Sequence, residues 1–191
     1  MKKYNDNIIA LGWIHWVWKS TIIKEINQYY PFDKIWNFSF GDTITDIVLN
    51  KWLVKTPKDI WEIEPSKMEE ILKETHQRLF DLSYDKDLIL VDTHFSTYRK
   101  NWLQKATEDE ISFYKKLILI NLPVDILVSR IKKDKKERLK NSIDTEKVKN
   151  HLYIENVTAK ELSKKTWKEL LIIENRDLKE SVLKILSFIN K

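Results

Sequence analysis

Lys19, Ser20 and Thr21 follow a short apolar run, Ile8-Ile9-Ala10-Leu11, and precede Ile22-Ile23-Lys24-Glu25-Ile26, which has helical periodicity. A lysine and a hydroxyl at the first turn of a helix that follows a strand are equipment for holding phosphate. The ammonium reaches the β- and γ-phosphates of a nucleotide, the helix N-terminus adds its positive dipole, and the Ser20 hydroxyl is placed to ligate Mg²⁺. The spacing is that of the phosphate-binding loop G-x-x-x-x-G-K-[ST], with Gly12 directly before it. Trp13 and Trp18, however, stand at the two glycine positions of that pattern, and Trp16 stands between them. Such a loop needs glycine because its backbone must reach φ > 0 and bring N–H groups against phosphate oxygens with no side chain between. Three indoles cannot share the space a triphosphate needs.

A second group of candidate residues ends another apolar run, Leu88-Ile89-Leu90-Val91-Asp92-Thr93-His94. An acid at the end of a buried strand beside the loop strand is where open α/β sheets hold Mg²⁺ or its water shell. Asp92 therefore pairs with Lys19 and Ser20 across the strand ends; its other reading is a loop cap. His94 either orients a phosphate or is a packed structural histidine. Arg99 and Lys100 lie just beyond the same strand end and could bind the phosphate of an acceptor.

The composition bears on the tryptophans. Ordinary glycine usage of about 7 per cent predicts roughly 13 glycines in a chain of this length, whereas the 191 residues contain two glycines and eight tryptophans. Other tryptophans also stand where local chemistry asks for glycine. Trp52 follows the helical stretch Ile47-Val48-Leu49-Asn50-Lys51 at the place of a C-terminal cap, Trp167 closes a long charged helix, and Trp102 follows Asn101 in a turn where Asn-Gly is the favoured pair. Two explanations compete. Either the gene uses UGA as a glycine codon that has been translated as tryptophan, or the loop is a relic that has lost phosphate binding.

The elements that must position these residues alternate between short apolar runs and longer amphipathic ones, the pattern of βαβ units and a parallel sheet. Strands are expected near 7–12, 34–38, 87–92, 116–121 and 169–174. Helices are expected from Lys19, over about 42–51, 66–82, from Pro123 to about 136, over 144–165 and over 177–190. The fold expected is an α/β P-loop NTPase three-layer sandwich: a five-stranded parallel sheet, helices on both faces and a short lid at about 131–143. Residues 1–191 are expected to form a single domain.

With no cysteine, disulfides and thiolate metal sites are excluded, and the four histidines show no metal-ligand spacing. No apolar run approaches the ~20 residues of a membrane span, so a cytoplasmic location is expected. The net charge of +5 arises from 34 basic and 29 acidic residues. Much of it lies in the run 132–140, which reads as a solvated helix face or as a surface for a polyanion.

Taken in order, Gly12 to Thr21, Asn37-Phe38-Ser39-Phe40-Gly41-Asp42, Val91-Asp92-Thr93-His94 and Leu127-Val128-Ser129-Arg130 followed by Arg138 resemble archaeal-type adenylate kinase over nearly the whole chain. The D-T-H after the third strand is the most specific part. The resemblance implies Mg²⁺-dependent phosphoryl transfer from ATP to a nucleoside monophosphate, with AMP favoured. It puts Gly12, Trp13, Trp16, Trp18, Lys19, Ser20 and Thr21 around ATP, with Ser20 and Asp92 at the metal. It also implies Arg130 and Arg138 clamping phosphates from the lid, and Gly41 and Asp42 at the edge of the monophosphate pocket. Two departures stand out: Asn37 to Gly41 is longer than the family's N-[FY]-G, and Arg138-Leu139-Lys140 replaces its R-N-R. A P-loop kinase for another small acceptor, an RNA-associated ATPase using 132–140, and a non-catalytic binding protein are the alternatives.

Overall fold

The computed structural model describes residues 6–13, 19–30, 35–99, 102–133 and 145–191. Five strands form one parallel sheet: β1 (Ile8–Trp13), β2 (Ile35–Ser39), β3 (Leu88–Thr93), β6 (Lys116–Asn121) and β7 (Glu169–Glu174), in the order β2-β3-β1-β6-β7. All five expected strands are present, each within one residue of the boundaries read from sequence. Between β3 and β6 lies a small antiparallel hairpin, β4 (Ser96–Tyr98) and β5 (Leu103–Lys105). The helices are α1 (Lys19–Asn27), α2 (Phe40–Asn50), α3 (Pro65–Leu82), α4 (Glu108–Ser112), α5 (Val124–Lys133), α6 (Thr145–Thr166) and α7 (Leu178–Ile189). The expected lid, apart from the last turn of α5, lies outside the described residues.

The continuous apolar character of β1 reflects burial on both sides of the sheet. Ile8 and Ala10 face one core with Ile89, Val91, Leu117 and Leu119, covered by α2, α3 and the C-terminal half of α6. Ile9, Leu11 and Trp13 face the other with Leu90, Ile118 and Ile120, covered by α1, α5 and α7. Each such side chain contributes about 1.5–3 kcal/mol when fully buried, so a one-residue slip of β1 would exchange two complete sets of contacts. Helix α1 after β1 and helix α4 after β3 pack on opposite faces through Ile22 and Ile111. Adjacent strands whose connections leave in opposite directions open a crevice at their C-terminal ends, and that crevice lies between β1 and β3.

Helix α2 begins two residues earlier than expected because Ser39, the last residue of β2, is its N-cap: its Oγ accepts the Asp42 N–H at 3.2 Å. The longer segment from Asn37 to Gly41 therefore ends a strand and starts a helix with no intervening loop. Beyond the paired residues of β4 and β5, Arg99 N donates to the Trp102 carbonyl at 2.8 Å. The strands of this hairpin are three residues each, too short to give a readable alternation.

Two helix ends have an uncommon residue at their caps. After α2, the Leu53 N–H bonds the Val48 carbonyl and the Trp52 N–H bonds the Leu49 carbonyl; after α6, the Lys168 N–H bonds the Ser163 carbonyl. These are the hydrogen bonds of the Schellman motif, which puts a left-handed residue at C′. That residue is Trp52 in one and Trp167 in the other, each at φ +56°, and they are the only non-glycine residues with positive φ among those described. Trp102 adopts no such conformation; the Asn-Gly expectation for its turn is not supported by its backbone. Trp13 also keeps strand geometry, pairing with Ile120, so the left-handed backbone expected there is absent.

Candidate active site

The C-terminal ends of β1 and β3 bring Trp13 and Asp92 together. Both are buried, and the Trp13 indole Nε1–H donates to Asp92 Oδ1 at 2.7 Å. The Trp13 carbonyl accepts a hydrogen bond from His94 Nδ1, which fixes the His94 tautomer with its proton on that nitrogen. His94 thus orients around the loop strand as well as facing the crevice.

Two cavities share this edge. One, of about 720 Å³, is lined by Ser20, Ile23, Lys24, Asn27 and Gln28 of α1 together with Asp42 and Asp92. The second, of about 470 Å³, is lined by Gly41, Asp42, Asp92, His94 and Arg99, with apolar walls from Phe40, Ile44, Ile60, Trp61 and Ile111. The metal candidates Ser20 and Asp92 therefore meet in the first cavity, and the substrate candidates Gly41, Asp42, His94 and Arg99 meet in the second. Asp42 and Asp92 belong to both. Lys19 starts α1 at the same edge; its side chain lies outside the described residues, as do Trp16, Trp18 and Arg138. Thr21 continues α1. Arg130 sits near the end of α5 and lines neither cavity; burial lowers its guanidinium from its ordinary value.

Glycine serves two different purposes here. At Gly12 a Cβ would fall 2.2 Å from the Phe95 ring, so this close approach of strand and aromatic admits no side chain. At Gly41, in the first turn of α2, a Cβ would meet nothing within 4 Å. That glycine leaves the cavity wall open.

Arg99 is the arginine that lines the second cavity, in company with Asp42, Asp92 and Glu110. Its Nε donates to Gln104 Oε1 at 2.8 Å, its Nη2 lies 3.5 Å from Met68 Sδ, and its guanidinium stacks over Trp61 at 5.3 Å from the ring centroid. No carboxylate pairs with it among the described residues, and desolvation by burial brings it down to about 10. It remains a cation at neutral pH and lines a cavity of mixed character, with carboxylates at Asp42, Asp92 and Glu110 and apolar walls from Phe40, Ile44, Ile60 and Ile111.

Sequence reasoning missed His76, Gln104 and Glu155. His76, on the apolar stripe of α3, lines the second cavity, stacks on Phe113 and bonds the Leu72 carbonyl through Nδ1 at 2.8 Å; burial lowers it below its ordinary value, which keeps it neutral. Its place on that stripe, between Ile71 and Leu79, was the available signal. Glu155, completely buried on α6, accepts the Phe95 N–H at 2.7 Å and the Ser96 hydroxyl. His151 Nε2 reaches the Ser96 carbonyl, and Asn150 Nδ2 donates to the Tyr98 hydroxyl. Helix α6 is thereby bonded to the hairpin β4-β5 beside Arg99.

A family model described as an AAA domain matches residues 18–149, more than half of the sequence. The chain belongs to the AAA domain family. An adenylate kinase from Methanopyrus kandleri is 23% identical over 170 residues, covering 84% of this chain and 83% of that protein. Among solved structures, shikimate kinase from Bacteroides thetaiotaomicron aligns with a TM-score of 0.62 at 12% identity, covering 97% and 99% of the two chains. The tunicamycin resistance protein of Deinococcus radiodurans aligns at 0.63 with 9% identity, covering 96% and 95%. YorR from Bacillus subtilis, solved with phosphorylated GDP, aligns at 0.59 with 14% identity, covering 96% of each. This AAA domain chain has the α/β P-loop kinase fold. Among its described residues no helix is long and apolar enough to cross a membrane.

Such a fold implies nucleotide binding, typically with Mg²⁺. The residues present do not fit that group. The Trp13 side chain fills the end of β1 and takes an Asp92 carboxylate oxygen that a cation or its water would use. Nor do three or more acidic or histidine side chains cluster as a metal site among the described residues.

Proposed function

We propose that the fold's activity is phosphoryl transfer from ATP to a nucleoside monophosphate, AMP being the favoured acceptor. The observation that supports this reading is Arg99: a partly desolvated cation with no carboxylate paired to it among the described residues, lining a cavity that also carries Asp92 and the apolar side chains Ile44, Ile60 and Ile111. A cation in such a place is stabilised by an anion that arrives with its own apolar body, which describes the phosphate and base of a nucleotide. Gly41 gives that ligand room, Asp42 and His94 contact it at the edge shared with the first cavity, and Trp61 offers an aromatic wall. Resemblance adds Arg130 and Arg138 as phosphate clamps. Lys19 and Ser20 at the start of α1, with Asp92, are the residues that would hold the donor and its Mg²⁺ in a loop with glycine at 13, 16 and 18. The work of these groups is positioning and charge neutralisation, because in-line transfer needs no covalent enzyme intermediate.

The chain with tryptophan in the loop is better read as a non-catalytic protein, since the Trp13 to Asp92 hydrogen bond occupies the donor side. A coupled ADP assay on the Trp13→Gly, Trp16→Gly, Trp18→Gly protein tests the activity, with AMP, CMP, GMP and UMP offered separately. ADP formation that depends on one of these acceptors is expected. ATP binding without acceptor-dependent turnover overturns the nucleoside monophosphate reading and leaves a kinase for another small molecule.

A further inference from the structure

We infer that the protein made by its native cell carries glycine at positions 13, 16, 18, 52 and 167, through a genetic code in which UGA specifies glycine. The inference deepens the reading above, because it restores the loop that reading requires. Its support comes from three parts of the molecule that share no function.

The first part is the loop. The strand, the helix, the spacing and the lysine of a phosphate loop are all present, and only its glycine positions are filled by another residue. That residue is the same one each time. Trp18 enters through this pattern alone, and Trp16, between the two positions, through the loop GxxGxGK[ST] of the family the sequence resembles; Trp13 enters also through its buried indole, which sits on Asp92 where the fold's ligand belongs.

The second and third parts are the caps after α2 and α6. The cap after α2 forms both hydrogen bonds of a Schellman motif and the cap after α6 its outer one, and both have φ +56° at C′, a conformation open to glycine and disfavoured for any residue with a Cβ. The side chains of Trp52 and Trp167 are 91% and 92% exposed. No packing therefore explains a large apolar residue at either site. A relic that lost phosphate binding would explain tryptophan in the loop, but it gives no reason for tryptophan at two helix caps that take no part in the site.

Decay would also be expected to bring varied residues. A single codon reassignment converts every affected glycine to the same residue, and it accounts for two glycines beside eight tryptophans. Trp36, under Lys86, Trp61, under Arg99, and Trp102, packed on the core, have contacts of their own, and the inference does not depend on them.

Two measurements test this. Codons at the five positions should read UGA, and peptides of the protein purified from its native cell should have the masses of glycine at 13, 16, 18, 52 and 167. UGG codons at these positions overturn the inference. So does UGA with tryptophan in the native peptides, which would be a code that reads UGA as tryptophan. Both results are independent of enzymatic activity: glycine at all five positions in a protein that ignores every nucleoside monophosphate upholds this inference and sinks the acceptor assignment.

Discussion

Trp13 and Asp92, at the C-terminal ends of neighbouring parallel strands, are joined by an indole hydrogen bond of 2.7 Å. The bond links a buried carboxylate of the crevice to a side chain that lies where a phosphate loop has none.

The first prediction follows from that pair. The chain with tryptophan at 13, 16 and 18 should show no ATP binding by calorimetry, and the triple glycine protein should bind ATP. Adding Lys19→Ala to the glycine form should lower turnover by ~10²–10³, the usual effect of removing one electrostatic donor from a transferring group. Trp13→Phe alone, which breaks the hydrogen bond but keeps the bulk, should not restore binding.

The caps give a second prediction. Trp52→Gly and Trp167→Gly should each stabilise the protein by about 1–2 kcal/mol, the cost of holding a Cβ-bearing residue in the left-handed region. Thermal unfolding should move upward by roughly 2–4 °C per kcal/mol for a chain of this size. Trp102→Gly is the contrast: its φ is not positive and its indole packs on the core, so the same substitution should destabilise. Equal shifts at all three sites would show that the caps are not the cause.

Much of this fold is written in short runs that are apolar throughout. The runs Ile8 to Leu11, Leu88 to Val91 and Leu117 to Ile120 read as central strands because both of their faces are covered. Asp92 was legible as a candidate site residue because it is an acid that ends such a run, and the structure places it in the lining of both cavities. Trp52 and Trp167 were legible as cap positions from where the helical patterns stop. Hairpin β4-β5 was not legible, because three-residue strands carry too few alternations and the segment lacks glycine or proline at its turn. Glu155 was not legible either: in sequence it is one more acid on a highly charged helix, and only folding puts it against the backbone of Phe95.

Gly12 faces the Phe95 ring so closely that a methyl group would lie 2.2 Å from it. Gly12→Ala should therefore destabilise by about 1–3 kcal/mol, the usual cost of overpacking a filled core. Urea titration of that variant should show a lower midpoint, and Gly41→Ala, where the added carbon meets open space, should not. A comparable loss at both would mean that the Phe95 contact is not what excludes a side chain.

Glu155 should make stability depend on pH. Burial raises its carboxyl from 4.5 to about 7, outweighing the hydrogen bonds from Ser96 and Phe95 that favour the anion. The folded protein then holds a proton that the unfolded chain has released. Its stabilising contribution is complete below 4.5 and is lost as pH rises to about 7. The loss is at most about 3.5 kcal/mol at 1.36 kcal/mol per unit. Urea midpoints measured between pH 4.5 and 8 should decline in the original protein, and Glu155→Gln should flatten that decline. A Gln variant with the same slope would assign the pH dependence to other groups.

Arg99 separates a role in binding from a role in folding. Its guanidinium is held by Gln104 and Trp61 but by no carboxylate among the described residues, so the folded protein gains little from its charge until an anion arrives. In the triple glycine protein, Arg99→Ala should raise the acceptor KM by about 10–100-fold, the equivalent of 1.5–3 kcal/mol for a hydrogen bond to a charged group. The KM for ATP should stay unchanged. Arg99→Lys should lie between the two, because an ammonium supplies the charge without the planar fork. The unfolding temperature of Arg99→Ala should not fall, since removing a desolvated cation relieves a cost. If Arg99→Ala instead lowers stability and leaves both KM values alone, Arg99 is a structural support for the β4-β5 hairpin, and the phosphate of the acceptor is held by another group.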